Sequence, residues 1–405
     1  MGLSQLASSI AESPTLKLNE QARVLRARGE AVINLGIGEP KNRTPEAAIA
    51  AAAAVLNQGD VKYSSTDGTP GLKQAIIRYT EAHYGRTVAP GNIIVSSGAK
   101  QSLFNLLYAL LDPQDEVVLL APFWVSYPEI TRMCRGVPVV VTAADGGFRP
   151  GLAEVERALT PRTKVVLCNS PNNPSGVMYD ESFVQGLVEI CERRGIHLLM
   201  DDIYHQLVFD GRQAVSAWHY TDRDVESTKV VLINGVAKTY GMTGFRIGWA
   251  VASRELVAVM TNIQSQTTTC SSTVLQAGAE GALNGDQGVV ETLRRAMQEN
   301  RDLVLKGLAT IPGVNCAKPD GTFYCLPDFR ALDGDSMRLS EFLLEKALLV
   351  TVPGREFGME GHLRLSYAGS SKDLVEAIAR LRWALDPSSP AELQIGQRRC
   401  VRDWK

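Results

Sequence analysis

The chain has no uninterrupted apolar run approaching the length needed to cross a bilayer, and its first ten residues hold no basic segment followed by a long apolar stretch. Neither export nor membrane anchoring is expected, which points to a cytoplasmic location. Charge of one sign is also missing: 42 Lys and Arg stand against 44 Asp and Glu in 405 residues, without a long basic run. That balance gives no electrostatic footprint for nucleic acid or an anionic membrane, so a small-molecule partner is expected. Cysteine is scattered. Cys134, Cys168, Cys191, Cys270, Cys316, Cys325 and Cys400 form no CxxC pair, which argues against a disulfide framework and against a metal site. There is no internal repeat, and no low-complexity segment beyond the Ala-rich stretch 47–54.

What is present is apolar material in a regular order. At 45% hydrophobic residues the chain can bury a large core, and its length suggests two domains. Short β-rich runs alternate with helical patterns, the signature of an α/β fold with a parallel sheet and crossover helices. The runs 93–96, 116–120, 138–142, 164–168, 197–200, 230–233 and 247–251 predict seven strands of a mostly parallel sheet. Thr44 as cap, Pro45 at the first helical position and Glu46 in the first turn predict a helix start. After Gly71, Leu72, Ala75, Ile76 and Tyr79 share one helical face. The expected organisation is a large domain over 45–285, and a smaller α/β domain from 1–44, with an N-terminal arm, and 286–386. Residues 387–405, loop-like at their start and without clear periodicity, read as a C-terminal tail.

In open α/β sheets, ligands bind at the carboxyl ends of the strands. Those ends are polar here: Asn169 to Pro174 after one run, Asp201 and Asp202 after the next, and Asn234 to Lys238 after a third. An amine, a carboxylate and an anchored phosphate are what pyridoxal 5'-phosphate (PLP) chemistry requires. The amine binds the cofactor covalently, and the acid keeps its ring nitrogen protonated so that the ring withdraws electrons. Lys238 alone is an ordinary loop lysine, and Asp201 alone an ordinary turn residue. Their joint placement makes them candidates.

The segment NGVAKTYGMTGFRIGW resembles the cofactor-lysine region of class I aminotransferases, the PLP fold type I group, with Lys238, Gly244 and Arg246 at the fixed points. The resemblance continues, in order, through NLGIGEP, KYSSTDGTPGLKQAI, SSGAKQSLFN, APFWVSYP, NSPNNPSG, DDIYHQL and HLRLSYA. It implies a PLP enzyme that moves an amino group between an amino acid and a 2-oxo acid by a ping-pong cycle. Lys238 would be the Schiff-base lysine and proton carrier, Asp201 the partner of the ring nitrogen, and Asn173 and Tyr204 the partners of the phenolic oxygen. Trp124 would stack on the ring. Gly98, Ala99 and Lys100, opening a helix, would receive the phosphate together with Arg246. Tyr63 would reach the phosphate of a neighbouring subunit, which implies a homodimer with shared active sites. Arg364 would clamp the substrate α-carboxylate, and Gly38 would let the backbone close over the substrate.

The closest subgroup is the prokaryotic-type aspartate aminotransferases, in which the lysine matching Lys100 binds a distal carboxylate and the threonine matching Thr15 assists from the partner subunit. Aspartate and 2-oxoglutarate are therefore the expected pair. The alternatives are an aromatic, prephenate or alanine-type aminotransferase, or a PLP-dependent lyase. Two departures from the family pattern stand out. Lys41, Asn42 and Arg43 replace the usual acidic GEPDFDTP sequence, which is expected to add positive charge near the mouth of the site and favour acidic substrates or recruit an unusual one, and Gly235 and Ala237 replace serines that touch the phosphate.

Overall fold

The protein is described by a computed structural model covering residues 2–10 and 14–403; the side chains of residues 14–19 lie outside the description. Among the described residues, seven strands build one sheet: β1 (Ile93–Ser96), β2 (Glu116–Leu120), β3 (Val137–Val141), β4 (Thr163–Asn169), β5 (His197–Asp201), β6 (Val230–Gly235) and β7 (Gly248–Val251). Their order is β1-β7-β6-β5-β4-β2-β3. From β3 to β6 all neighbours are parallel, whereas β7 runs antiparallel to both β6 and β1. The strands read as nearly continuous apolar runs because both faces are covered. Alternate residues supply opposite faces: Val118, Val166, Leu198 and Leu232 enter one core cluster, while Val117, Val165, Leu199 and Val231 enter another.

The helix Pro70–Tyr84 buries Leu72, Ala75, Ile76 and Tyr79, as its periodicity predicts, and Leu72, Ile76 and Tyr79 enter the first of these clusters. The helix after Thr44 begins one residue later than expected. Pro45 keeps a ψ of 136° and acts as the cap of Glu46–Gln58, without a side-chain capping bond. Strand ends also shift: β3 slides back by one residue and β7 starts at Gly248, while Asn169, Asp201 and Gly235 are the last residues of their strands rather than loop residues beyond them. A strand ends where its ladder hydrogen bonds end, and polarity alone does not mark that point.

Both chain ends contribute to a third cluster, in which Ala22, Val32 and Leu35 pack with Phe329, Leu343, Leu365 and Leu381. Around it lie the helices Gly288–Leu308, Ser336–Ala347 and Ser371–Leu385, and an antiparallel sheet ordered Val352–Pro353, Leu363–Ser366, Tyr324–Cys325. Ile33–Asn34 pairs in parallel with Leu349–Val350. The segment after Pro387 is more than a loop. Glu392–Ile395 and Arg398–Val401 form a hairpin whose Ile395 and Cys400 are 2% and 3% exposed in the same cluster. The Trp383 indole N–H donates to Pro390 O at 2.9 Å, and the Arg402 guanidinium donates to the carbonyls of Asp386, Pro387 and Ser389 at 2.8–3.0 Å. Two four-residue strands are too short to stand out in the sequence. Among the described residues, no helix is long and apolar enough to cross a membrane.

Candidate active site

The carboxyl ends of β4, β5 and β6 lie side by side, and the polar residues named from the sequence meet there. Asn169 joins two strands: its Nδ2 donates to Asp201 O at 2.7 Å, and its Oδ1 accepts from Asn173 N at 2.8 Å. The Asp201 carboxylate is buried at 7% exposure and accepts the Tyr127 hydroxyl at 2.6 Å and Ile203 N at 3.4 Å. Burial pushes its pKa upward, against the pull of these two bonds and of the Lys238 charge. A carboxylate so placed is stabilised by any cation brought to it.

Lys238 follows β6 in the short helix Val236–Thr239 and is partly buried. Its ammonium donates to Gly38 O and lies 5.7 Å from the centre of the Phe323 ring. Burial, then the Arg364 charge, outweigh the opposing pull of Glu39 and Asp201 and hold its pKa at about 8. Cofactor-free protein should therefore capture a small aldehyde, trapped by mild reduction, at a rate that rises with pH and levels off above about pH 8. An ordinary lysine would keep gaining reactivity to about pH 10.4, and such a profile at Lys238 would contradict this environment.

Arg364, 3% exposed, comes from the central strand of the small antiparallel sheet. Its guanidinium donates to Asn173 Oδ1 at 3.1 Å and to Gly36 O at 2.8 Å, and is flanked by the Tyr324 and Phe357 rings at 4.4 and 5.1 Å. Its Nε is buried without a partner among the described residues, a donor left for a ligand. Tyr204 and Tyr324 are buried with their rings edge to face, centroids 6.2 Å apart. A Cβ on Gly38 would lie 2.8 Å from the Tyr324 hydroxyl, so glycine is what lets this backbone reach Lys238.

A second group of residues surrounds the start of the helix Ala99–Leu110, whose first-turn N–H groups have no helix carbonyl to bond. Gly98 caps it at a φ of +90°, and a Cβ there would meet Arg246 Nη2 at 2.5 Å. Glycine thus brings the guanidinium over the helix N-terminus. The Lys100 ammonium lies 4.7 Å from the centre of the Trp124 ring, and partial desolvation and the Arg246 charge depress its pKa. Two cations beside a helix N-terminus suit an anionic group such as a phosphate.

Residues 30–381 match the family described as aminotransferase class I and II. The chain belongs to that family. It is 40% identical over 395 residues to an aspartate aminotransferase of Rhizobium meliloti (strain 1021), covering 94% of this chain and 95% of the relative. It is also 40% identical to a probable aspartate/prephenate aminotransferase of Aquifex aeolicus (strain VF5), covering 95% and 99%. In structure it is similar to the aspartate aminotransferase from Thermus thermophilus with maleate, at a TM-score of 0.89 and 38% identity over 94% of this chain and 99% of that one.

Of two further residues named from the sequence, one stands apart from the rest of the aminotransferase's site and the other's side chain is not described. Tyr63 is 86% exposed, and the Thr15 side chain lies outside the described residues. Within the two departures from the family pattern, Lys41, Arg43 and Gly235 acquire physical explanations, and nothing in the structure explains Ala237. Lys41 pairs with Asp373 at 3.4 Å and Arg43 with Glu46 at 2.8 Å, so these two cations are satisfied on the surface and do not add free charge to the site, correcting the expectation from sequence. At Gly235, a Cβ would lie 2.9 Å from Ile247 O and 3.0 Å from Gly248 Cα, so the close approach of β7 leaves no room for serine. Sequence reasoning missed Tyr127 and Tyr324. Tyr127 sits three positions after Trp124 in APFWVSYP, and Tyr324 within the run GTFYCLPD, but nothing in either spacing indicates a contact to Asp201 or Gly38.

Proposed function

We propose that this aminotransferase is a PLP enzyme that transfers the amino group of aspartate to 2-oxoglutarate. The observation that carries the proposal is Lys238: an amine held near neutrality by burial, beside a buried carboxylate and a buried guanidinium with a free donor. The residues present fit the cofactor. Arg246 and the N–H groups at Gly98, Ala99 and Lys100 would hold the phosphate, Asp201 the ring nitrogen, Asn173 and Tyr204 the phenolic oxygen, and Trp124 a ring face. When bound, the cofactor supplies a covalent attachment point for the amino group and an electron-withdrawing ring.

The chain's own groups do the rest. Arg364 binds the substrate α-carboxylate through two parallel N–H bonds and so orients the Cα proton towards the Lys238 amine. With a pKa of about 8, that amine is neutral in a useful fraction at physiological pH and takes the Cα proton as a general base. Asp201 keeps its negative charge beside the ring nitrogen, and Tyr127 holds the carboxylate in place. Gly38 brings the backbone over the site and excludes water.

Specificity for a dicarboxylic amino acid rests on Lys100, with Thr15 of a partner subunit assisting. A relative of similar fold was solved with maleate, itself a dicarboxylate. Exposed Tyr63 fits a homodimer in which it serves the neighbouring site. This reading includes a cytoplasmic location and the division into a large domain, 45–285, and a small domain built from both chain ends. A panel of amino acids with 2-oxoglutarate, ranked by kcat/KM, tests the donor: aspartate should lead, whereas an aromatic amino acid, alanine or the prephenate-derived donor in first place would replace it. Lys100→Ala should raise the KM for aspartate by about 10-fold to 100-fold, the value of a charge-assisted hydrogen bond, and leave that for alanine nearly unchanged. Equal effects on both would remove Lys100 from recognition.

A further inference from the structure

Residues 36–43 form a strap that touches both ends of the site: Gly36 O accepts from Arg364 at 2.8 Å, and Gly38 O accepts from Lys238. Its first end is fixed by pairing, since Ile33–Asn34 lies beside Leu349–Val350 and Leu35 N donates to Val350 O at 2.9 Å. Its other end carries the unusual Lys41, Asn42 and Arg43. The two cations pair with Asp373 and Glu46, whereas the amide between them, on an equally exposed residue, reaches across to the lysine segment and also bonds Arg43 O at 3.1 Å. Asn42 Nδ2 donates to Tyr240 O at 3.1 Å, two residues beyond Lys238. Its side chain also fills the space that a Cβ on Gly241 would occupy, and Gly241, at a φ of +64°, is where the chain turns after the lysine segment. One further tie lies nearby, as the Thr243 hydroxyl donates to Glu39 Oε2 at 2.7 Å.

We infer that Asn42 is a positioning residue that docks the strap onto the lysine segment, so that the strap is ordered before substrate arrives. Lys41 and Arg43 tie the strap to Asp373 and Glu46 while Asn42 registers it against the lysine segment. Without the amide bond, substrate binding must order the strap, which weakens binding without altering the reacting groups.

Lys41 and Arg43 are themselves trypsin sites within the strap, which supplies a test independent of catalysis. In the cofactor-free full chain, Asn42→Ala should speed the first tryptic cuts after Lys41 and Arg43 by about tenfold, the value of one hydrogen bond. Cuts elsewhere in the chain and the thermal midpoint should stay unchanged. Asn42→Asp, which keeps the shape but cannot donate to Tyr240 O, should do the same and carries the test if the alanine variant does not fold. In the loaded enzyme both variants should raise the KM for the amino donor about tenfold, with kcat changed less than about twofold and the cofactor absorption intact. This kinetic arm rests on the aminotransferase reading: failure of that reading would remove the cofactor band from the unaltered protein, whereas failure of the Asn42 inference leaves it. Unchanged cutting within the strap, or a fall in kcat at constant KM, would overturn the inference.

Discussion

Lys238→Ala should lose the visible absorption band of lysine-bound cofactor and reduce kcat by about 10⁴-fold or more, the upper range for removing a positioned acid–base group. The loss is large because one amine is assigned two tasks, covalent attachment of PLP and movement of the Cα proton, and among the described residues no second lysine stands in its place. Lys100, the other lysine of the site, stacks over Trp124 beside Arg246. Folding should survive the change. The Lys238 pKa is lowered from its ordinary value to about 8, so the protonated amine costs folded-state stability at every pH below about 8, and that cost fades as pH rises towards the unfolded value. Removing the amine therefore relieves a penalty at pH 7, set against the small cavity left behind. Purified Lys238→Ala protein that is folded, retains PLP through Arg246 and the helix N-terminus, and does not turn over is the expected result. Retention of the band would mean that another amine holds the cofactor.

Asp201→Asn should lower kcat by about 10²-fold to 10³-fold, the usual scale for losing a fixed electrostatic contact at a reacting centre. The substitution keeps size and an acceptor for the Tyr127 hydroxyl, which now donates at 2.6 Å, so the loss measures charge more than shape. A neutral amide cannot hold a proton on the ring nitrogen, and the ring then withdraws electrons poorly. The stability effect has the opposite sign. Burial raises the Asp201 pKa, so the ionised form costs stability that is fully felt above the folded pKa and disappears as pH falls to the unfolded value near 3.9. Cofactor-free Asp201→Asn should accordingly have a Tm at pH 7 equal to or above that of the unaltered protein. Calorimetry of the cofactor-free variant together with single-turnover kinetics checks both parts; a lower Tm with unchanged kcat would assign Asp201 a structural role only.

Much of this site was legible because parallel strands place their carboxyl ends together whatever the intervening lengths. Three polar clusters after apolar runs are enough to bring Asn169, Asp201 and Lys238 to one edge of the sheet. The order of the strands, the antiparallel course of β7 and the exact strand ends were less legible, because ladder pairing is a property of two segments at once. The same limitation explains Tyr127 and Tyr324. Each meets a partner across a large separation in sequence, Asp201 in one case and Gly38 and Tyr204 in the other, and no local spacing encodes such a contact. The Lys41-Asn42-Arg43 departure shows the reverse error: charge counted from sequence predicted a more cationic site mouth, but both cations pair with surface carboxylates and the neutral amide between them bonds the lysine segment. The hairpin 392–401 was hidden because it acquires its apolar character only from Ile395 and Cys400 against a core assembled by distant segments.

The central claim is that Lys238 carries the cofactor, and borohydride reduction followed by peptide mapping tests it most directly. Reduction of the PLP-loaded enzyme should abolish activity and leave one pyridoxyl group per chain, on the tryptic peptide containing Lys238. A label on Lys100 or on any other lysine, or full activity after reduction with no label on Lys238, would contradict the account.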